Sequence, residues 1–121
     1  MTTQQTITFM LLMHLVADYT LQGWLAQGKQ LSWWKNLGFK DEKWGKYKFD
    51  YTAALACHAL YWSILVCLPF WSSEWLAVAI FANTIVHAVV DDLKANLGKL
   101  NLIQDQLIHV AQIAVTFALL H

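Results

Sequence analysis

Four apolar runs, each long enough to cross a lipid bilayer as a helix, make up most of the chain. They cover residues 7–24, 51–71, 75–93 and 102–120. A membrane-spanning helix needs about 20 mainly apolar residues, with a range of about 17–25. Charged residues make up only 13% of the sequence, whereas soluble domains carry about 25%. The sequence therefore predicts an all-α protein, a four-helix transmembrane bundle that forms one domain over residues 1–121.

Lysine placement predicts how this bundle is oriented. With four crossings, the 25–50 segment and the 94–101 turn lie on one side of the membrane, and both termini and the 72–74 link lie on the other. All eight basic residues are lysines on the first side, which the positive-inside rule makes cytoplasmic. We therefore expect both termini on the non-cytoplasmic side. The 25–50 segment, rich in Lys and Trp, is expected to be an interfacial hairpin or short helix, or alternatively a solvated loop.

Two capping signals predict where helices begin. Asn101 followed by Gln104 matches the capping-box pattern, in which each side chain bonds the backbone N–H of the other residue. Asp50 is the candidate N-cap for the second run, because its carboxylate can accept from the first free N–H groups of a helix.

Each run carries one histidine inside its apolar surroundings, and these are His14, His58, His87 and His109. Three of them have an aspartate four residues away, on the same face of a helix. The aspartates are Asp18, Asp91 and Asp105. At 1.5 Å per residue, all four histidines lie about 10–15 Å from the cytoplasmic ends of their helices. Because ionisable groups are costly in a bilayer unless they are partnered, the matched depth predicts that the four helices meet around one polar centre.

Imidazoles and carboxylates together form a ligand set for a divalent transition metal. Zn fits best, and Fe, Mn or Co also accept these donors. The predicted ligands, for one ion or two, are His14, Asp18, His58, His87, Asp91, Asp105 and His109. With one ion, some of the aspartates would orient histidines instead of binding the metal. A single buried histidine is more often a packing residue, and a metal-free proton relay is the main alternative for the whole set.

The leading functional prediction is a metal-dependent hydrolase that acts on a lipid or a lipid-linked phosphate or ester at the cytoplasmic leaflet. A bound metal would lower the pKa of water and supply a hydroxide nucleophile. The predicted catalytic residues are Asp18, Asp91, Asp105 and Lys94, and the predicted substrate-binding residues are Gln22, Gln106 and Lys94.

Two other functional classes are also compatible with the sequence. One is a metal-ion or proton transporter, which the nearly all-apolar outward half of the runs disfavours. The other is a non-catalytic phage accessory protein with a structural metal. Membrane lipid is the expected partner, and a homo-oligomer is compatible with the sequence. Nucleic acid is not expected, because the chain has no arginine and no basic soluble face.

Spaced motifs connect these polar residues to a known pattern. The motifs are His14-x3-Asp18-Tyr19-x-Leu21-Gln22, His87-x3-Asp91-x2-Lys94 and Asp105-Gln106-x2-His109, together with His58. They resemble those of a family of small bacterial and phage integral-membrane proteins of unknown function, over residues 14–29 and 58–109. The resemblance implies a multi-pass protein of the bacterial cytoplasmic (inner) membrane and supports the same residues as the site. It implies no particular activity.

Overall fold

A computed structural model describes residues 1–20, 22–36 and 48–121 of the chain. Over these ranges the backbone forms helices and turns, with no strand, so the predicted all-α class is confirmed there. The elements are α1 Thr3–Leu15, a π-helical turn Val16–Thr20, α2 Leu25–Gly28, α3 Leu31–Lys35, α4 Asp50–Cys67 with a 3₁₀ turn Leu68–Phe70, α5 Leu76–Ala95 and α6 Leu102–Leu120.

Three of these helical segments are long and apolar enough to cross a membrane. They are Asp50–Phe70, Leu76–Ala95 and Leu102–Leu120. The run at 7–24, predicted as a further span, differs from them. Its regular α-helix has 13 residues and begins with the polar residues Thr3 to Thr6. After the π turn, the backbone changes direction at Gly23, whose φ of +56° lies in the left-handed region that glycine adopts readily.

Contacts between helices show that each long helix runs antiparallel to its neighbours. At one end of the molecule, Thr3 Oγ1 lies 3.1 Å from His121 Nε2, so the beginning of α1 meets the end of α6. At the other end, Lys94 near the end of α5 bonds Asp105 near the beginning of α6. This arrangement places the late residues of α1 and α5 beside the early residues of α4 and α6.

Helix capping explains where two of the helices begin. Asn101 Oδ1 accepts from the Gln104 backbone N–H at 2.8 Å, and Gln104 Oε1 accepts from the Asn101 backbone N–H at 3.1 Å, so the predicted capping box is confirmed. The prediction for Asp50 is wrong: α4 begins at Asp50 itself, with Phe49 at the N-cap position. Asp50 therefore lies in the first turn, where a carboxylate is still favourable to the helix dipole.

Apolar side chains cover the outside of the helices while polar ones fill part of the inside. Phe81 and Leu119 are 69% and 77% exposed. A buried apolar cluster fills the end of the molecule near the termini, and it consists of Met10, Ala17, Trp62, Val66, Phe70 and Ile113. Beyond this cluster, the buried residues include four histidines and two aspartates, which are His14, His58, His87, His109, Asp91 and Asp105. An apolar exterior around a polar interior is typical of a protein whose surroundings are lipid.

The segment between α1 and α4 folds back onto the polar end of the helices. The residues described there form α2 and α3, and residues 37–47 lie outside the described part of the chain. Lys29, at the end of α2, is only 6% exposed. The predicted interfacial or solvated loop is therefore partly a docked segment, whose first lysine reaches the interior instead of the surface.

Candidate metal centre

Three histidines from the three longest helices meet in the interior. His58 on α4, His87 on α5 and His109 on α6 are each 0% exposed. The rings of His87 and His109 are stacked with centroids 3.9 Å apart, and the centroids of His58 and His87 are 5.1 Å apart. The convergence of helices around histidines, predicted from their matched depth, is present in the structure for these three residues.

Asp18 and Asp91 surround the histidine nitrogens. Asp18 Oδ1 lies 3.2 Å from His58 Nε2 and 3.7 Å from His87 Nε2. Asp91 Oδ2 lies 3.5 Å from both of these nitrogens. Asp18 is carried by the π turn, a distortion of the helix that is frequent at functional sites. Four donor atoms from three helical segments therefore face one another across short distances.

Asp91 also links this group to a second one. Its other oxygen, Oδ1, lies 3.3 Å from His109 Nε2, and the same nitrogen lies 3.4 Å from Asp105 Oδ1. Three overlapping groups of donors result, each with ligand atoms within 4.8 Å of one another. They are Asp18 with His87 and His109, His58 with His87 and Asp91, and Asp91 with Asp105 and His109.

The spacing of these donors fits a metal ion. In a tetrahedral zinc site with bonds of about 2.0–2.1 Å, ligand atoms are about 3.3–3.4 Å apart. The distances from His109 Nε2 to its two carboxylate oxygens, 3.3 and 3.4 Å, match this value. The predicted chemistry, buried His and Asp groups that could hold a divalent ion, is thus supported by the geometry.

Four buried polar atoms of the cluster have no hydrogen-bond partner in the described part of the chain. They are both ring nitrogens of His87, Nδ1 of His58 and Oδ1 of Asp105. Buried polar atoms are rarely left unpaired, because desolvation without a partner is costly. Nε2 of His87 faces Asp91, and Oδ1 of Asp105 faces His109, so a cation bound within the donor group of either atom would supply a missing interaction.

His14 lies beside the cluster but outside the three groups. Its Nδ1 accepts a 2.9 Å hydrogen bond from the Trp62 indole N–H, and its Nε2 lies 3.0 Å from Gln106 Oε1. Its Nδ1 is also 3.5 Å from Asp18 Oδ2. Both ring nitrogens thus have protein partners, and the structure does not bring His14, predicted as a ligand, into the donor groups.

Gln106 and Gln22, predicted to bind substrate, make contacts within the protein. Gln106 Nε2 donates to Asp105 Oδ2 at 2.9 Å, in addition to its contact with His14. Gln22 Nε2 donates to the backbone carbonyl of Asp18 at 2.8 Å, while its Oε1 is buried without a partner. Both glutamines therefore hold the aspartates in place. Of their side-chain oxygens, that of Gln22 has no hydrogen-bond partner in the described part of the chain.

A chain of polar side chains supports His109 from the side of the termini. His109 Nδ1 lies 3.0 Å from Gln112 Oε1, whose Nε2 donates to Asn83 Oδ1 at 3.1 Å. Asn83 Nδ2 in turn donates to Thr116 Oγ1 at 2.9 Å. Because a Gln oxygen can only accept, His109 Nδ1 is the donor, which leaves Nε2 facing the carboxylates. Fixing the second ring nitrogen in this way is typical of metal-binding histidines.

Two lysines form ion pairs with the cluster. Lys94 Nζ lies 2.9 Å from Asp105 Oδ2, and Lys29 Nζ lies 2.9 Å from Asp91 Oδ2. Lys94 was predicted to hold a phosphate; in the structure its ammonium is bonded to Asp105 and its side chain is 31% exposed. Sequence reasoning missed Lys29. Nothing in the sequence separated it from the other lysines of the 25–50 segment, because its partner lies 62 residues along the chain.

Trp62 is the second residue of the candidate site that the sequence did not indicate. It is 0% exposed, and its ring stacks on His87 with centroids 4.4 Å apart while its N–H bonds His14. A tryptophan in an apolar run has no mark that distinguishes a packing role from a positioning role.

No family model, no curated protein and no solved structure matches the chain.

Proposed function

We propose that this protein is a metal-dependent hydrolase that acts on a lipid or a lipid-linked phosphate or ester at the cytoplasmic leaflet. We also propose that it belongs to a family of bacterial or phage membrane proteins. The observation that carries the proposal is Asp18. It is a carboxylate with a 9% exposed side chain, on a π turn, facing histidines. Its charged or ionisable partners in the described chain are histidines, whereas Asp91 and Asp105 each have a lysine ammonium. The negative charge of Asp18 is therefore not compensated by a lysine, and a bound cation would compensate it.

Charge balance favours one divalent ion. The three carboxylates and the two ammonium groups leave one net negative charge in a buried site when the histidines are neutral. One divalent ion would change this to one net positive charge, which a hydroxide or an anionic substrate would neutralise. Two divalent ions would leave a large positive excess, and an uncompensated charge in a low-dielectric interior is strongly unfavourable.

We assign the ion to Asp18, His87 and His109. Two histidines with one carboxylate form the ligand set of several catalytic zinc sites, which keep an open position for water or substrate. This group includes the unpaired Nε2 of His87 and the Nε2 of His109 that Gln112 orients. His58, 3.2 Å from Asp18 Oδ1, would orient that carboxylate. Zn is the expected ion, and Fe, Mn or Co would also suit these donors.

Such an ion would polarise the substrate and lower the pKa of a bound water. Asp105 is our candidate for the general base, because its Oδ1 is buried, unpaired and directed at the same cluster. Its other oxygen is held by Lys94 and Gln106, which fixes the carboxylate plane. Lys94 is the more exposed of the two lysines and would meet an anionic headgroup at the mouth of the site.

The membrane arrangement that we propose is a four-helix bundle with both termini on the non-cytoplasmic side. With three crossings the termini would lie on opposite sides of the bilayer, about 30 Å apart. The 3.1 Å contact between Thr3 and His121 brings the termini to the same end of the molecule, which supports a fourth crossing by the first helical segment. The site lies toward the other end, where Lys29 and Lys94 form their ion pairs and which we take to face the cytoplasm of the inner membrane.

A transporter fits the structure less well than an enzyme. A conducting path needs polar groups along the whole crossing. Between the site and the termini, the interior is filled by the apolar cluster around Met10, Trp62 and Phe70. The polar chain from Gln112 to Thr116 continues beside this cluster, but its members bond one another. The apolar cluster therefore blocks part of the route toward the termini, whereas Asn83, Gln112 and Thr116 line a cavity of about 630 Å³ between α5 and α6 on that side.

Elemental analysis of detergent-purified protein tests the metal centre. We expect about one equivalent of a divalent transition metal in the unchanged protein, and loss of the metal in His87→Ala. His14→Gln is the matched control, because His14 has a similar depth but lies outside the donor groups, and it should keep the metal. A folded, metal-free protein would overturn the metal centre. Loaded protein that turns over none of a panel of lipid phosphates and esters would overturn the hydrolase.

A further inference from the structure

The ammonium group of Lys29 lies within one of the three donor groups. Its Nζ is 2.9 Å from Asp91 Oδ2, and this same oxygen is 3.5 Å from Nε2 of His58 and from Nε2 of His87. Lys29 is 6% exposed and the two histidines are fully buried. A cation held by His58, His87 and Asp91 would bind this oxygen from the same region of space.

Lys94 provides an internal comparison, because its ion pair has a different geometry. It bonds Asp105 through Oδ2, whereas His109 faces the other oxygen, Oδ1. Lys94 therefore neutralises its carboxylate from outside the donor group. Lys29, in contrast, bonds Oδ2 of Asp91, the same oxygen that faces the two histidines and that a metal ion in this group would bind.

The backbone around Lys29 is held in place by the end of α5. Asn96 Nδ2 donates to the Lys29 carbonyl at 2.8 Å, and Asn96 Oδ1 accepts from the Leu31 N–H at 2.7 Å. Gly28, next to Lys29, is packed so closely that an added Cβ would clash with the ring of Trp24. These contacts fix the entry point of the Lys29 side chain, so its position in the site is built into the fold.

We propose that Lys29 is a tethered cation that occupies a second cation position in the centre, beside the divalent ion bound by Asp18, His87 and His109. The proposal rests on the proposed metal centre and goes beyond it. In two-metal hydrolases, ions about 3.5–4 Å apart clamp the oxygens of an anionic group. Here the ammonium supplies the second positive charge to a phosphate or to the developing oxyanion of an ester, and it keeps a second metal out.

Removing the ammonium opens that position. Replacing Lys29 by a neutral residue leaves the donor atoms Asp91 Oδ2 and His58 Nε2 in place and removes one positive charge from the cluster. The free donor atoms and the more negative charge of the cluster both favour binding of a second divalent ion at His58 and Asp91. Lys94→Met removes the same charge from the same cluster but frees an oxygen that does not face the histidines, so it is the matched control.

The experiment is elemental analysis of full-length protein purified in detergent with Zn²⁺ or Mn²⁺ present throughout. We expect one equivalent in the unchanged protein, one in Lys94→Met, and one additional equivalent in Lys29→Met. Lys29→Gln, a neutral polar replacement that suits the buried position better, should also gain an ion. Lys29→Arg, which keeps the charge, should not. In Mn²⁺-loaded Lys29→Met, the electron spin resonance spectrum should show a coupled pair of ions.

The outcomes separate this inference from the metal centre itself. One equivalent in the unchanged protein and one in both neutral Lys29 variants would overturn the second cation position and leave the metal centre standing. Two equivalents in the unchanged protein, or a gain in Lys94→Met equal to that in Lys29→Met, would also overturn it. An unchanged protein that is folded and metal-free would overturn the metal centre and this inference with it.

Discussion

The indole N–H of Trp62 donates a 2.9 Å hydrogen bond to Nδ1 of His14. Since an indole nitrogen can only donate, Nδ1 carries no proton, and the proton of the neutral ring is on Nε2. That N–H then donates to Gln106 Oε1, 3.0 Å away, which turns the Gln106 amide N–H group toward Asp105. One buried tryptophan thus sets a tautomer whose effect reaches the candidate general base.

Trp62→Phe keeps an aromatic ring beside His87 but removes this donor. We expect the free energy of unfolding to fall by about 1–3 kcal/mol, because His14 Nδ1 is left buried without its partner. Metal content should stay unchanged, since His14 lies outside the donor groups. Unfolding in detergent and elemental analysis measure the two quantities, with Trp71→Phe, at a 70% exposed position, as the control. Loss of metal without loss of stability would instead mean that Trp62 positions a ligand, either His14 through its N–H or His87 through the stacked ring.

Gln112→Leu should weaken metal binding. Gln112 holds the Nδ1–H of His109 and thereby directs Nε2 toward the carboxylates. Removing such a support typically costs 10–100-fold in metal affinity, and we expect a loss of about this size in a chelator competition titration. Thr116→Val is the control, because Thr116 bonds Asn83 and does not contact His109. Equal affinities in the two variants would mean that Gln112 does not orient His109.

Spacing along helices predicted the part of the site that helices alone determine. His58, His87 and His109 lie on three long helices, each of which continues without interruption through its histidine. Counting residues from the helix ends was therefore enough to place them at one depth. The buried aspartates Asp91 and Asp105 followed from the four-residue spacing on the same helices.

The remainder of the site depends on contacts that leave no periodic mark in the sequence. The first helix ends its regular α geometry at Leu15, and Asp18 reaches the cluster from the π turn, which the apolar pattern does not signal. Lys29 and Trp62 find partners 62 and 48 residues away. Such pairings are decided by how the elements pack, so the sequence could predict neither the lysine in the interior nor the partners that occupy His14.

Asn96→Ala should loosen the segment that carries Lys29. Asn96 accepts from the Leu31 N–H and donates to the Lys29 carbonyl and to Asp92. With about 1 kcal/mol for each of the two hydrogen bonds to this segment, we expect amide hydrogen exchange around residues 29–31 to be about 30-fold faster. Mass spectrometry of detergent-solubilised protein measures this rate. Asn36→Ala, at an exposed position on the same segment, is the control, and equal exchange in both variants would contradict the role of Asn96.

Reporter fusions test the membrane topology. A reporter placed after residue 40 and one placed after residue 121 should report opposite compartments, the first cytoplasmic. Lys29 and Lys94 lie at the end of the molecule opposite to the termini, which we take to be cytoplasmic by the positive-inside rule, and the Thr3–His121 contact holds the two termini together. A third reporter before Met1 should agree with the one after residue 121. If the reporters at residues 40 and 121 are both cytoplasmic, the four-crossing arrangement is wrong.

Asp105→Asn separates metal binding from catalysis. Asparagine keeps the shape of the carboxylate and can still contact Gln106, but its Oδ1 cannot take up a proton. We therefore expect metal content close to that of the unchanged protein and turnover lower by about 10²–10⁴-fold, the usual contribution of a general base. Asp18→Asn is the comparison, since Asp18 is the proposed ligand and its variant should lose the metal. The assay is turnover of the most reactive lipid phosphate or ester found for the loaded protein.

A metal-loaded Asp105→Asn protein that keeps full turnover would remove Asp105 from the mechanism. Asp91, the carboxylate shared by two donor groups, would then be the residue to test.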